Sequence, residues 1–400
     1  MNTPKLKQTI ELLSEELLIP AMFPRSTILS TRKSSDRLKL AFKIYRPSTS
    51  FPLEEGSQRA SIFFVNGNGF PKECYEPMFK YLVGELKNKH KIQIQYILAM
   101  EPVNQGASAI ANEYTLGNDI MWTDGWRDVV VAHYYLGVTG HPSVQMPLIG
   151  VGHSFGGNTI LGASTINTQM FEVAVGIDAV IGKPSIVEAG SPFIPSLKRR
   201  DRWSSREEAW KSLRRNRFYA PWCEESFNNY IQYGLRDLPT VTYPIDSAEL
   251  KNSGGVTLTC PVTQEIATFL NVPEEDDDER ELKRMCPRDC LDAIRENSRV
   301  PTRLFLADIG RQMFPLYESD LKFGRYGVVS YEDLGEKATH SVPFEEPELV
   351  AKAVARFIGE KLKGRIERAV VGDGKERYKG VHPVHRRRHA EFVASRLSKV

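Results

Sequence analysis

The sequence predicts an α/β protein: a mostly parallel central sheet flanked by helices, interrupted by a long helical insertion. Three observations predict it. Short apolar runs alternate with amphipathic stretches along most of the chain, the habit of strand–helix–strand units. A glycine-flanked serine stands directly between one apolar run and one helical stretch. The 400 residues are 41% hydrophobic and 26% charged, globular values that exclude general disorder. A chain of this length accommodates one core of about 250–300 residues with a large insertion, or two ordinary domains.

The elements follow in order. Residues 38–45 alternate like a strand, and 60–65 form a compact apolar run stopped by Asn66-Gly67-Asn68-Gly69. Residues 75–86 have helical spacing through Met78, Tyr81, Leu82 and Leu86. Residues 92–100 read as a strand and 126–136 as a helix with Val129, Val130, His133 and Tyr134 on one face. Residues 147–151 predict a strand, 157–163 a helix and 173–177 a further strand. From 184 to 297 the alternation is lost. Residues 202–215 are helical in type, and Ser204 with Glu207 has capping-box spacing. The acidic run 274–279 reads as a solvated loop. Alternation resumes with strands at 302–307 and 326–331 and a helix over 347–362 whose buried face carries Val350, Val354, Phe357 and Ile358. The expected layout is a core of 1–183 and 298–363, a helical cap at 184–297, and a basic tail at 364–400.

Charge and cysteine use exclude several classes. With 53 Lys and Arg against 50 Asp and Glu, the net charge of +3 gives no global field for a polyanion, so nucleic acid is not an expected partner. No run approaches the ~20 apolar residues of a membrane span. The N-terminus, Met1-Asn2-Thr3-Pro4-Lys5-Leu6, has no apolar stretch leading to a cleavage site, which predicts no secretory signal. Cys74, Cys223, Cys260, Cys286 and Cys290 are odd in number and scattered, which fits reduced thiols inside a cell. Cys286 and Cys290 lack the second pair a four-ligand zinc site needs, so no metal is expected.

The sharpest chemical signal is Gly152-His153-Ser154-Phe155-Gly156, G-x-S-x-G between an apolar strand and a helix. Such a serine sits on a strained turn with its hydroxyl raised above the sheet edge, where side chains at 152 and 156 would collide with crossing backbone. The helix that follows presents free N–H groups to a developing oxyanion, and that of Phe155 is one expected donor. The turn after the earlier strand, Asn66-Gly67-Asn68-Gly69-Phe70, is small enough to approach a substrate, and the Asn68 N–H is the expected second donor.

A serine needs a base. Of the eight histidines, His382, His385 and His389 lie in the tail; His90, His133 and His141 precede the serine; and His153 sits inside the elbow, pointing aside. His340, in Ala338-Thr339-His340-Ser341-Val342-Pro343, follows the last strand and fits the order Ser…acid…His. Two carboxylates compete to orient it. Asp178 ends the strand 173–177, one strand from Ser154, and is favoured. Asp308 follows the strand 302–306 in a stretch, 307–315, read as a loop, where Gln312 occupies the slot a carboxylate would be expected to fill. Glu318, Asp320 or no acid at all are the remaining alternatives.

These segments resemble the α/β-hydrolase superfamily, and within it the fungal peroxisomal lipase and toxin-biosynthesis protein group. Asn66-Gly67-Asn68-Gly69-Phe70-Pro71-Lys72-Glu73-Cys74-Tyr75-Glu76-Pro77 is similar to that group's H-A-N-G-F-H-K-E-x-W-E-P stretch. Asn104-Gln105-Gly106-Ala107-Ser108, with Leu116-Gly117 and Trp122-x-Asp124, is similar to its N-Q-G-D-S … L-G … W-x-D. The elbow and His340-Ser341-Val342-Pro343-Phe344-Glu345 are similar to G-H-S-x-G-G and G-H-x-V-P-x-E, and the likeness runs from about residue 35 to 360. The chain departs from the pattern at Asn66, Ala107 and Thr339, where the group has His, Asp and Gly.

The resemblance supports Ser154, His340, Asn68 and Phe155 and is compatible with Asp178. It implies a serine esterase or lipase acting on a small apolar ester, with no cofactor. A thioesterase, an acyltransferase or a carbon–carbon bond hydrolase would use the same residues. A catalytically silent binding protein on the same fold is the alternative of another class. The final Ser398-Lys399-Val400 differs by one residue from the S-K-L peroxisomal address, so an import receptor is a possible partner and the expected location is peroxisomal or otherwise cytoplasmic. Arg386-Arg387-Arg388 has the look of a nuclear or membrane-surface patch, or of a solvated tail.

Overall fold

The computed structural model describes residues 10–48, 56–144, 147–182, 193–244, 255–270, 287–322 and 326–371. The acidic run at 274–279, Cys286, the Asp320 side chain, the basic triplet 386–388 and the last three residues lie outside the described residues. The chain divides into two compact units, 1–361 and 362–400. Of the second, only the end of one helix, as far as Val371, is described.

Eleven strands are described: β1 (Leu12–Pro20), β2 (Lys39–Pro47), β3 (Gln58–Val65), β4 (Ile92–Glu101), β5 (Leu148–His153), β6 (Val173–Ile177), β7 (Arg202–Trp203), β8 (Leu235–Asp237), β9 (Val256–Leu258), β10 (Thr302–Leu306) and β11 (Val329–Asp333). The helices are α1 (Glu76–His90), α2 (Gly106–Ala111), α3 (Trp122–Val138), α4 (Phe155–Ile166), α5 (Phe193–Lys198), α6 (Arg206–Arg214), α7 (Glu224–Tyr233), α8 (Val262–Leu270), α9 (Pro287–Asn297), α10 (Asp308–Lys322), α11 (Val342–Glu345) and α12 (Pro347–Val371).

Eight strands form one sheet in the order β1-β2-β4-β3-β5-β6-β10-β11. From β4 to β11 every neighbour is parallel; β2 runs antiparallel to β1 and β4. Strands buried on both faces must be apolar throughout. β5 is buried at all six positions and β3 from Ala60 onward. Adjacent phenylalanines in β3 serve opposite faces. Phe63 meets Phe42 and Phe171 edge-on at 5.7 and 6.3 Å, while Phe64 meets Tyr75 and Phe79 at 4.6 and 4.9 Å. On one face α3 and α4 pack together, joined by a Trp126 Nε1 hydrogen bond to Asn158 at 2.8 Å.

Several elements differ from the sequence expectation. β1 went unread because it pairs through its backbone at the sheet edge and buries only one side chain fully, leaving no period-2 apolar signal. The stretch 184–297 holds a second sheet, β7-β9-β8, antiparallel, with strands of two or three residues, too short to show a period. In the same stretch α9 packs on α4, placing the Cys290 thiol 3.5 Å from the Asn158 carbonyl. The cap of α6 is shifted by one residue: Ser205 Oγ accepts from the Glu208 N–H at 3.1 Å, and Glu208 reaches back to the Ser204 N–H at 2.7 Å. The stretch 307–315, read as a loop, opens α10, which carries Pro315 inside it. The last helix continues beyond 362 to Val371.

Candidate active site

The C-terminal ends of β3, β5, β6 and β10 converge on Ser154. At the end of β5 the chain turns into α4 through a Ser154 backbone with φ 56° and ψ −121°, outside the usual regions for a residue with a side chain. The flanking glycines make this possible. A Cβ on Gly152 would lie 2.2 Å from the Gly156 carbonyl oxygen, and a Cβ on Gly156 would lie 2.1 Å from that of Val65. The turn is anchored by the Ser154 N–H, which donates to the Ile177 carbonyl at 2.9 Å.

His340 Nε2 stands 2.9 Å from Ser154 Oγ, and His340 Nδ1 stands 2.6 Å from Asp178 Oδ2. Asp178 has no exposed surface and a φ of 42°. Its carboxylate caps α10: Oδ1 accepts from the Ala307 and Gly310 N–H groups at 2.8 and 2.7 Å, and Oδ2 from Ile309 at 3.2 Å. Burial pushes this carboxyl up, but the hydrogen bond and charge of His340, joined by the two backbone donors to Oδ1, outweigh it and hold Asp178 below the ordinary aspartate value. A Cβ on Gly310 would stand 2.6 Å from Oδ1, so the helix start fits around the acid.

The other candidate acids sit elsewhere. Asp308 is exposed and accepts from Gln312 Nε2 at 2.9 Å, so the two residues weighed for the slot bond each other. Glu318 accepts from the Tyr331 hydroxyl at 3.1 Å.

The turn after β3 lies against the elbow. A Cβ on Gly67 would meet Ser154 Cβ at 3.3 Å. No described residue accepts from the Asn68 or Phe155 N–H. The turn is gripped from two sides. Gln105 accepts from the Gly69 N–H at 2.7 Å and donates to Asn68 Oδ1 at 2.6 Å. Asn68 Nδ2 donates to the Glu265 carbonyl on α8 at 2.9 Å. Asn66, where the resembled group has His, donates to the carbonyl of Phe70 at 2.7 Å and so folds the turn on itself. Behind it Lys72 reaches Glu101 at 3.0 Å and Glu73 at 3.1 Å, and Lys43 reaches Glu76 at 3.1 Å. Burial opposes the Lys72 charge, but Glu101 and Glu73 more than offset that and raise its pKa.

His153 does turn aside, as the sequence indicated, but into a network rather than plain packing. Its Nδ1 lies 2.7 Å from the Tyr75 hydroxyl and its Nε2 2.9 Å from the His340 carbonyl. Trp122 packs edge-on against Phe155 at 4.6 Å and donates to the Thr268 carbonyl at 2.9 Å, while Asp124 accepts from the Ser26 N–H at 3.0 Å. The Trp-x-Asp pair therefore supports the elbow and the N-terminal segment. Tyr75, Gln105 and Glu265 are residues at the candidate site that sequence reasoning left without roles; Tyr75 and Gln105 stand in the two resembled motifs, 66–77 and 104–108, and Glu265 in none.

Among the described residues no group of three or more His, Cys, Asp or Glu is placed to hold a metal, and no helix is long and apolar enough to cross a membrane. Cys74, Cys223 and Cys260 are free thiols.

The geometry can be set beside known proteins. The chain aligns over 98% of its length, and 99% of the other, with the solved structure of the peroxisomal α/β-hydrolase Lpx1 from Saccharomyces cerevisiae, at a TM-score of 0.67 and 19% identity. This chain is an α/β-hydrolase by fold. Among curated sequences, the chain is 32% identical over 267 residues to the type I acyl-CoA thioesterase mpaH of Penicillium roqueforti, covering 63% of the chain and 58% of that protein. It is 26% identical over 226 residues to the peroxisomal membrane protein LPX1 of S. cerevisiae, covering 52% of the chain and 56% of that protein. The matched stretches thus span little more than half the length of these relatives. Both are fungal, in line with the group that the motifs of the chain resemble. No family model matches the chain.

Proposed function

We propose that the chain is a serine hydrolase that cleaves an acyl ester of apolar character through an acyl-enzyme. The observation that carries the reading is the chain of contacts Ser154 Oγ–His340 Nε2, 2.9 Å, and His340 Nδ1–Asp178 Oδ2, 2.6 Å, on a positive-φ elbow. In this reading His340 takes the Ser154 proton, and the alkoxide attacks the carbonyl carbon. The N–H groups of Asn68 and Phe155 hold the tetrahedral oxyanion. Asp178 keeps the proton on His340 Nδ1 and stabilises the imidazolium. The leaving group departs with a proton from His340, and water repeats the route to free the acid.

The apolar wall of the acyl site is Phe70, which stacks on Phe218 at 6.1 Å and meets Phe344 at 4.9 Å and Trp222 at 5.7 Å. Phe218 and Trp222 belong to the stretch 184–297, which supports a cap role for it. A thioester substrate is the second reading, favoured by the likeness to the acyl-CoA thioesterase. The likeness to the peroxisomal Lpx1 supports a peroxisomal location.

A fluorophosphonate probe tests the proposal. Wild type is expected to label and Ser154→Ala to remain unlabelled; a folded wild type that does not label is a binding protein rather than a hydrolase. A panel of ester and thioester chain lengths then separates the two substrate readings.

A further inference from the structure

A second histidine, fully buried, is joined to the turn after β3 through Tyr75 and to the backbone of His340. The Gly67 N–H lies 3.0 Å from the Tyr75 hydroxyl oxygen, that oxygen 2.7 Å from His153 Nδ1, and His153 Nε2 2.9 Å from the His340 carbonyl oxygen. The direction of each bond is fixed by what the ends can do. A backbone carbonyl only accepts, so His153 Nε2 carries the proton. Nδ1 must then accept, so the Tyr75 O–H donates to it. The Tyr75 oxygen is left to accept from Gly67, whose N–H only donates. The chain of bonds therefore has one polarity from end to end, and each bond polarises the next.

Its ends are the parts that must be in register. Gly67 precedes the expected oxyanion donor Asn68; His153 precedes Ser154; the carbonyl that accepts from His153 belongs to His340 itself. These three residues lie on separate segments, after β3, at the end of β5 and after β11. Arg311 holds the approach to the last of them through the carbonyls of Gly335, Glu336 and Ala338 at 2.5, 3.2 and 2.8 Å, but it stops short of residue 340.

We infer that Tyr75 and His153 act as one positioning pair, setting the His340 backbone and the Gly67-Asn68 turn in register with Ser154. The inference rests on the serine-hydrolase reading for its effect on turnover and on geometry alone for its effect on His340. Two further features suit the pair to this task. Neither side chain has measurable exposure, so water does not compete for its bonds. Burial, with the charge of the neighbouring His340 adding to it, drives the His153 imidazole down to about 3, so it stays neutral beside a base whose ring centre is 4.9 Å away. A cation there would oppose formation of the His340 imidazolium.

The test removes one oxygen. Tyr75→Phe is expected to lower kcat by about 10²-fold, the loss typical of misplaced reacting groups, while KM stays within about threefold. His153→Gln, which keeps a donor and an acceptor, should retain more activity than His153→Leu. The second readout does not depend on turnover: nitrogen-15 and proton spectra of the histidine rings. Wild type should show His153 protonated at Nε2 and a protected, downfield His340 Nδ1–H. In Tyr75→Phe that His340 proton should broaden or shift.

Unchanged kcat together with an unchanged His340 proton in Tyr75→Phe overturns the inference. If Tyr75→Phe does not fold, equal activity and equal spectra in His153→Gln and His153→Leu overturn it. Should wild type fail to label with the fluorophosphonate, the hydrolase reading falls, and the ring spectra still decide the positioning role.

Discussion

The two sides of Ser154 are built differently. On the acid side, Asp178 is fixed by backbone N–H groups of Ala307, Ile309 and Gly310, all from the start of a helix in the main α/β layer. On the oxyanion side, the Asn68 turn is fixed by the side-chain amides of Gln105 and Asn68 and by a carbonyl of α8. Backbone donors survive almost any substitution, whereas side-chain amides do not. In the proposed mechanism the charge that drives proton transfer is thus secured by the fold, and the donor that meets the substrate is secured by sequence. Two of the three departures from the resembled motifs, Asn66 and Ala107, fall on the oxyanion side, where Ala107 donates its N–H to Glu101 at 2.7 Å.

Substitutions can break this contrast. The largest effect is expected on the acid side. Asp178→Asn should lower ester turnover by about 10³- to 10⁴-fold, as loss of the orienting anion does in other triads. Asp308→Asn, on an exposed side chain bonded to Gln312, should change turnover by no more than about twofold, the equivalent of ~0.5 kcal/mol. A large loss in the second variant would move the acid to Asp308 and dissolve the comparison.

On the oxyanion side Gln105→Leu should lower kcat by about 10- to 100-fold with little change in KM, because the donor is displaced rather than deleted. A KM effect alone would show that the turn binds substrate without serving the transition state.

The smallest effect is on stability, and it separates the two sides by pH. The His153 imidazole, at about 3 in the folded protein against 6.5 for an ordinary histidine, leaves the unfolded chain binding more protons between those values. Stability from this group therefore falls as pH drops from about 6.5 towards about 3. Asp178 acts lower. Its folded value lies below the ordinary 3.8, so its contribution is intact above 3.8 and is lost only as pH falls through that depressed value. Urea unfolding at pH 7, 5 and 4 should show a shallower loss in His153→Gln than in wild type, and an equal loss in Asp178→Asn and wild type.

The parallel strands are legible in the sequence because burial on both faces demands unbroken apolar runs, as in β3 and β5. The elbow is legible because Gly152 and Gly156 are forced by collisions that any side chain would cause. Helix α10 is not legible: the stretch 307–315 reads as a loop, yet Gly310 makes room for the Asp178 carboxylate and Pro315 lies inside the helix. The acid therefore stays divided between two aspartates in the sequence, because what chooses between them is the direction of a helix N-terminus. The grip of Gln105 and α8 on the turn joins residues 37 and 197 apart, and no spacing rule spans such distances. The Tyr75–His153 pair, 78 residues apart, is hidden for the same reason.

The contact between Ser154 and His340 joins positions 186 apart. During synthesis the elbow leaves the ribosome long before its base exists. A nascent chain that ends before β11 would already carry the serine and its supporting glycines, yet would lack the histidine that the proposed mechanism needs as its base.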